Sequence, residues 1–300
     1  MMKFAQLLTL TILTLFCSAA GATAEEDASV VSLTLTQSDY NGGRIYLPVR
    51  IENVAGTMRL DTGASSTRIT LAPWNKSLPV IGQSMSAGAT GKATSCDDVE
   101  AKILQLQAAS GNNIGRSKYV VTRCAANDGD DLLGLDFFKG AHFAIDFTRR
   151  QMIFSTPSQL NAQAKAFRPI AAGKGLVGID LRAGGVAASG LFDSGAEISA
   201  VDQKFVDSHK GLFTLVKKKG KASEAGGRMW SSRIYKIKDI DLGDKRILRG
   251  LYVLAYDFGA LRDVLGPQTP FILGYNFISK FNWDLDFRTP NAPTWDARPR

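Results

Sequence analysis

Histidine is nearly absent: His142 and His209 are the two in 300 residues. Triad hydrolases need an imidazole beside the nucleophile, and no Gly-x-Ser-x-Gly elbow presents a serine here. His142 falls in a repeated block where its counterpart is Asn282 and reads as structural; His209 closes an expected helix among charges and reads as solvated. Cysteine is scarce too, with Cys17, Cys96 and Cys124 alone. So few His and Cys at scattered positions give no zinc spacing. Asn127-Asp128-Gly129-Asp130-Asp131 lacks the spacing of a calcium loop and reads as a turn. Gly91-Lys92 fails as a phosphate loop, because Ser86 stands where its first Gly belongs and Ala93 follows the Lys. Neither a metal nor a cofactor is expected.

Long apolar runs are missing beyond the N-terminus. Met1-Met2-Lys3, an apolar stretch from Phe4 to about Ala20, and Ala22-Thr23-Ala24 before Glu25-Glu26 read as a cleaved secretory signal over residues 1–24. Bulky Phe16 before Cys17 excludes a lipid-attachment site. No later segment is long enough to span a bilayer, so stable membrane insertion after cleavage is not expected. The location implied is periplasmic or secreted. In an oxidising compartment the remaining pair, Cys96 and Cys124, is expected to form a disulfide.

Charge is unevenly spread. The net charge is +8 overall. Residues 25–164 carry 13 Lys and Arg against 14 Asp and Glu, giving −1; residues 165–300 carry 22 against 14, giving +8. A basic half suits anionic lipid or an acidic substrate. Its densest run, Lys217-Lys218-Lys219-Gly220-Lys221, has no interleaved aromatics and reads as a solvated turn. Nucleic acid is not an expected partner.

What the chain does have is an internal repeat. Asp61-Thr62-Gly63-Ala64 returns as Asp193-Ser194-Gly195-Ala196, an offset of 132 residues. Leu132-Leu133-Gly134-Leu135-Asp136-Phe137 returns as Ile272-Leu273-Gly274-Tyr275-Asn276-Phe277, and Ala144-Ile145-Asp146-Phe147 as Asp284-Leu285-Asp286-Phe287. The offset in these later blocks is 140, so the second half carries eight extra residues between its two blocks. Strands are expected over 30–36, 46–54, 176–181, 234–240 and 251–256, from their β-branched and aromatic content. Asn41-Gly42-Gly43 marks a turn. Met58 and Leu60 alternate with Thr57 and Arg59, as on a half-buried strand. Short helices are expected at 201–209 and after each Leu-Gly block, with a linker over 156–174. The fold class expected is all-β, as two lobes related by an approximate two-fold axis, residues 25–160 and 161–300.

Each repeated residue type has a chemical use. A carboxylate ends a strand in each half. Gly63 and Gly195 let two loops approach where a side chain would collide. Thr62 and Ser194 offer hydroxyls that could lock the opposite loop. Asp61-Thr62-Gly63-Ala64-Ser65-Ser66 followed by Leu132-Leu133-Gly134-Leu135-Asp136-Phe137-Phe138 resembles the aspartic proteases, and most of all their retropepsin-like bacterial branch. The tandem lobes resemble the pepsin arrangement, while the Ala after each Gly is the retroviral form.

That resemblance implies the two-lobed acid-protease fold, with Asp61 and Asp193 as one catalytic pair and Thr62, Gly63, Ser194 and Gly195 as loop support. It implies an aspartic endopeptidase acting on a peptide or protein substrate, as a monomer. Two adjacent carboxylates cannot both ionise easily, so one proton is shared and water is activated between them. The resemblance also implies a hairpin over the cleft. Candidates are Gly88, Thr90 and Gly91 in the first half and Trp230 beside Gly226-Gly227 in the second. The competing expectation is a catalytically inactive peptide-binding module of the cell envelope with the same fold.

Overall fold

The structure is a computed structural model describing residues 28–88, 93–125, 129–154, 163–170, 175–223 and 229–300; at 221–223 and 229–230 it describes the backbone alone. The signal segment over 1–24 and the flap candidates Thr90 and Gly91 lie outside the described residues, as do Gly226, Gly227 and part of the expected linker.

The first lobe opens with β1 (Ser29–Ser32), β2 (Thr34–Leu35), β3 (Ile45–Ile51) and β4 (Val54–Asp61). It continues through β5 (Arg68–Thr70), β6 (Val80–Ala87), β7 (Ala93–Leu106), β8 (Ile114–Cys124) and β9 (Leu132–Gly134). Next come β10 (His142–Asp146) and β11 (Gln151–Phe154). The second lobe has β12 (Lys165–Ala166), β13 (Arg168–Ile170), β14 (Leu176–Ala183), β15 (Val186–Phe192) and β16 (Ala200–Asp202). It ends with β17 (Phe213–Ser223), β18 (Met229–Asp241), β19 (Ile247–Tyr256), β20 (Phe271–Leu273), β21 (Phe281–Asp286) and β22 (Thr294–Pro299). Among the described residues three short α-helices interrupt them: α1 (Gln203–Ser208), α2 (Ala260–Leu265) and α3 (Tyr275–Ile278). Among the described residues no helix is long and apolar enough to cross a membrane.

Each lobe is built on one eight-stranded sheet, in the orders β2-β3-β4-β9-β5-β8-β7-β6 and β13-β14-β15-β20-β16-β19-β18-β17. The orders correspond strand for strand, so the sequence repeat is a repeat of topology. The fold is all-β and two-lobed. Its strands follow the expected pattern: along β3, Ile45, Leu47, Val49 and Ile51 are buried while the residues between them are half-buried. The expected linker differs in part. Its residues β12 and β13 are short edge strands, paired to β22 and β14.

The eight extra residues can be placed. Arg68 pairs with Thr122 and Ala200 with Leu254, so the offset of 132 persists through β8 and β19. It becomes 140 by β9 and β20, and the interval between β19 and β20 holds α2. Arg262 on α2 binds Asp202 through Nε (2.5 Å) and Nη2 (3.0 Å), while Asp202 also caps α1 by accepting from the Lys204 N–H (3.1 Å). The insertion is thereby tied down by charged hydrogen bonds, the stronger kind.

A six-stranded sheet, β1-β11-β10-β21-β22-β12, joins the lobes. Its centre is the antiparallel pair of β10 and β21, one strand from each half. Aromatic rings pack against it. Phe143 meets Phe287 (6.0 Å between centroids) and Phe192 meets Trp283 (4.9 Å). Phe143 and Trp283 are fully buried, and truncating such a ring to Ala costs about 3–5 kcal/mol. His142 Nε2 lies 2.8 Å from Asp284 Oδ1 across the same seam, which gives it the expected structural role.

Candidate active site

β4 carries Leu60 and Asp61 into the interior beside β9, with Leu60 opposite Leu133 and Asp61 opposite Gly134 in parallel register. β15 does the same beside β20, with Phe192 opposite Leu273. Each Leu-Gly strand thus supports a carboxylate-bearing loop. The support is hydrogen-bonded: the Gly134 N–H donates to Thr67 Oγ1 (3.1 Å) and the Gly274 N–H to Ser199 Oγ (3.0 Å). Each hydroxyl donates onward, Thr67 to Asp136 Oδ1 (3.0 Å) and Ser199 to Asn276 Oδ1 (2.7 Å). These are the same positions in the two repeats.

The two loops meet at the lobe boundary. A Cβ added to Gly63 would stand 2.4 Å from Asp193 Cγ, and one added to Gly195 would stand 2.3 Å from Asp61 Cγ. Each carboxyl therefore lies against the glycine of the other loop, which brings the two acids together at the lobe boundary. The Gly63 N–H donates to Asp61 Oδ1 (3.0 Å), and the N–H groups of Gly195 (2.9 Å) and Ala196 (3.1 Å) donate to Asp193 Oδ1. Asp61 is buried and Asp193 half-buried.

Thr62 and Ser194 lock this arrangement. Thr62 Oγ1 donates to the Phe192 carbonyl (2.8 Å) and accepts from the Ser194 N–H (2.9 Å). Ser194 Oγ donates to the Leu60 carbonyl (3.0 Å) and accepts from the Thr62 N–H (3.1 Å). All four bonds cross between lobes.

The Asp193 carboxyl is raised well above the usual carboxylate range, by burial first and then by the charge of Asp61; Arg59 and the Gly195 N–H oppose the rise. Burial and a like-charged neighbour both disfavour the ionised form. The pair consequently holds a proton where a solvated aspartate would have lost it.

Sequence reasoning missed the ion cluster beside the pair. Arg44 Nε donates to Glu197 Oε1 (2.7 Å) and Arg44 Nη1 to Asp130 Oδ2 (2.8 Å). Ser38 Oγ donates to Glu197 Oε2 (3.1 Å), so Glu197 is held from the first lobe by two groups. Arg59 also reaches Asp130 Oδ2, at 3.2 Å. Arg59 was expected on the polar side of a half-buried strand, yet it is 8% exposed. A buried arginine two residues before Asp61 was the available signal, and strand alternation masked it.

Cys96 and Cys124 form the expected disulfide. It joins β7 to β8 at the base of the β6–β7 hairpin. Gly88 follows β6 directly and is half-buried. Trp230 pairs through its backbone with Ala222 in the β17–β18 hairpin, and its side chain is outside the described residues. Both lobes therefore carry a hairpin at the corresponding place. His209 packs at a tilt against Phe205 (4.3 Å between centroids) and is half-buried, with Nδ1 3.0 Å from the Phe205 carbonyl oxygen, so it is not the solvated side chain expected.

No family model matches the chain, and no curated protein matches its sequence. Among the solved structures similar to this chain are two that match nearly end to end. Basic 7S globulin from soybean is 10% identical, with a TM-score of 0.53 over 91% of this chain and 95% of that one. Conglutin gamma, a basic 7S globulin from lupine seeds, is 9% identical, with a TM-score of 0.53 over 91% and 96%. The fold is bilobal and acid-protease-like. At such identities the likeness concerns the acid-protease-like fold alone. The carboxyl pair, its glycines and its hydroxyl lock are observations on this chain.

Proposed function

We propose that the chain is an aspartic endopeptidase in which Asp61 and Asp193 activate one water against a peptide carbonyl. The observation that carries this reading is the packing of each carboxyl against the other loop's glycine. A buried acid pair sharing one proton can do both halves of the reaction. Its ionised member takes a proton from water, while its protonated member polarises the carbonyl. The proton belongs to the pair, and neither Asp is a fixed acid. Ala64 and Ala196 place no hydroxyl beside the acids, which suits the retropepsin-like branch and an optimum at mildly acidic pH. The substrate would be an extended peptide under the two hairpins, met by a monomer in the periplasm or outside the cell. The buried disulfide suits such a compartment.

A second reading has a specific observation in its favour. Two solved structures of similar fold are globulins by name, which favours the reading of a catalytically inactive module with this fold, a peptide-binding one of the cell envelope. Incubating the protein with unfolded casein between about pH 3 and pH 7 separates the two. Cleavage by the wild type, lost in Asp61→Asn and in Asp193→Asn and blocked by a statine peptide, supports the endopeptidase. Binding of casein without cleavage at any pH supports the module.

A further inference from the structure

Arg59 has features that the fold alone does not demand. It stands on β4 two residues before Asp61, and alternate residues of a strand share a face. The residues opposite it in register are Tyr46 on β3 and Leu132 on β9, neither of which is an anion. Its backbone N–H donates to the Asp131 carbonyl (2.9 Å). Its guanidinium makes one ion pair, Nη1 to Asp130 Oδ2 at 3.2 Å. Its Nε–H is buried and finds no acceptor among the described residues. A buried, under-satisfied guanidinium is costly.

The charge of Arg59 is only partly neutralised. Asp130 is shared with Arg44, which holds the same oxygen more closely, at 2.8 Å. Asp130 is also the more exposed member, at 37% for its side chain against 10% for Arg59. Glu197 is engaged by Arg44 and Ser38. Asp131 turns to the Thr70 N–H, at 2.6 Å, and feels Arg68. Among the described residues, Glu197 and Asp131 are thus engaged by other groups and Asp130 is shared. Arg59 stands on the same face of β4 as Asp61, and its charge favours the ionised form of Asp193 across the lobe boundary.

We propose that Arg59 is a positioning residue of the carboxyl pair: its buried charge keeps the pair in the singly ionised state. The proposal rests on the reading of Asp61 and Asp193 as a proton-sharing pair. Without Arg59, burial and mutual repulsion would drive the pair toward holding two protons, and no base would be left for the water. An opposite charge nearby offsets that tendency. Arg59 acts through Asp193, so a lysine at 59 should serve where a neutral side chain of similar length should not.

The test uses the full chain with 13C-labelled Asp carboxyls, followed by NMR against pH, with the pair assigned from Asp61→Asn and Asp193→Asn. Cleavage rates (kcat/KM) on a peptide substrate are recorded over the same range. In Arg59→Met, both titration steps and both limbs of the rate profile should move to higher pH by about one unit or more. Arg59→Lys should stay close to wild type. Asp130→Asn removes the anion that competes for Arg59 and should move the titration the other way, in part by removing a negative charge near the pair, so the contrast of Arg59→Met with Arg59→Lys is what separates this role from a purely structural one. A folded Arg59→Met titrating as wild type overturns the proposal. If that variant does not fold, an unmoved or upward-moving Asp130→Asn overturns it. Rates that vanish at every pH in the wild type, with titrations that still shift, remove the peptidase reading and leave Arg59's role standing. Cleavage with unshifted titrations removes Arg59's role alone.

Discussion

Thr62 and Ser194, 132 residues apart, exchange hydrogen bonds in both directions across the lobe boundary. Each hydroxyl also donates to a carbonyl of the opposite strand, at Phe192 and at Leu60. Both residues are essentially solvent-free, at 0% and 2% exposure. Thr62→Val keeps the shape and deletes the hydroxyl, leaving a buried N–H and a buried carbonyl without their partner. Each such group costs about 1–3 kcal/mol, so the variant should lose about 2–6 kcal/mol in urea unfolding. Ser194→Ala should behave alike, and the double variant should lose clearly less than the sum. Additive losses would mean the two hydroxyls do not act as one unit.

The proton on the carboxyl pair gives stability a definite pH dependence. Asp193 is pushed up to about 8, by burial first and then by Asp61. An unfolded aspartate titrates near pH 4. Between these values the folded chain binds more protons than the unfolded one, so stability falls as pH rises. Asp193→Asn cannot ionise and should escape the loss. It should match wild type near pH 4 and exceed it by about 1–3 kcal/mol near pH 8. Urea unfolding at both pH values checks this, and a pH-independent difference would contradict the protonated pair.

Much of this site was legible because it is written twice. A lone Asp-Thr-Gly is weak, but two copies followed by two Leu-Gly blocks fixed the carboxyls, the glycines and the hydroxyls. The same repeat exposed the insertion, which carries α2. What stayed hidden depends on contacts without local pattern. Arg59 and Asp130 are 71 residues apart, and only the pairing of β4 with β9 brings them together. Alternation along β4 made Arg59 look solvent-facing, whereas its last four residues are all buried. Glu197 stands where the first repeat has Ser65, so the repeat gives it no counterpart. It binds Arg44 and Ser38 across the lobe boundary, a role to which its sequence neighbours give no clue.

Close approach at the glycines makes a sharp demand on geometry. Alanine at 195 would put its Cβ 2.3 Å from Asp61 Cγ, inside any tolerable contact. The neighbour it meets is a carboxyl held by the Gly63 N–H, so relief must move the pair itself. A displacement near 1 Å of reacting groups costs about 100-fold in rate. Under the endopeptidase reading, Gly195→Ala should remain folded by circular dichroism and lose about 100-fold or more in kcat/KM. Gly140→Ala makes the control, since nothing lies within 4 Å of a Cβ there, although its φ of +76° carries some strain. Equal activity in Gly195→Ala and wild type would separate the carboxyl contact from catalysis.

The disulfide should act on the first-lobe hairpin rather than on the carboxyl pair. Cys96 on β7 and Cys124 on β8 sit next to the paired residues Asp97 and Arg123, where the long β6–β7 hairpin joins the sheet. The bridge spans 28 residues of sequence. Loop-closure entropy for a ring of that size is worth about 3–4 kcal/mol in the unfolded chain. Both sulfurs are buried, so a reductant should act on the folded protein slowly. The Cys96→Ser, Cys124→Ser double variant should therefore show a thermal midpoint about 6–16 °C below wild type, and adding a reductant should not lower it further. Wild type unfolded in reductant should refold to the same lowered midpoint. The carboxyl titration of the double variant should match wild type, because the lobe-boundary lock of Thr62 and Ser194 does not pass through β7. A variant with an altered titration would show that the hairpin base and the acid pair are mechanically joined.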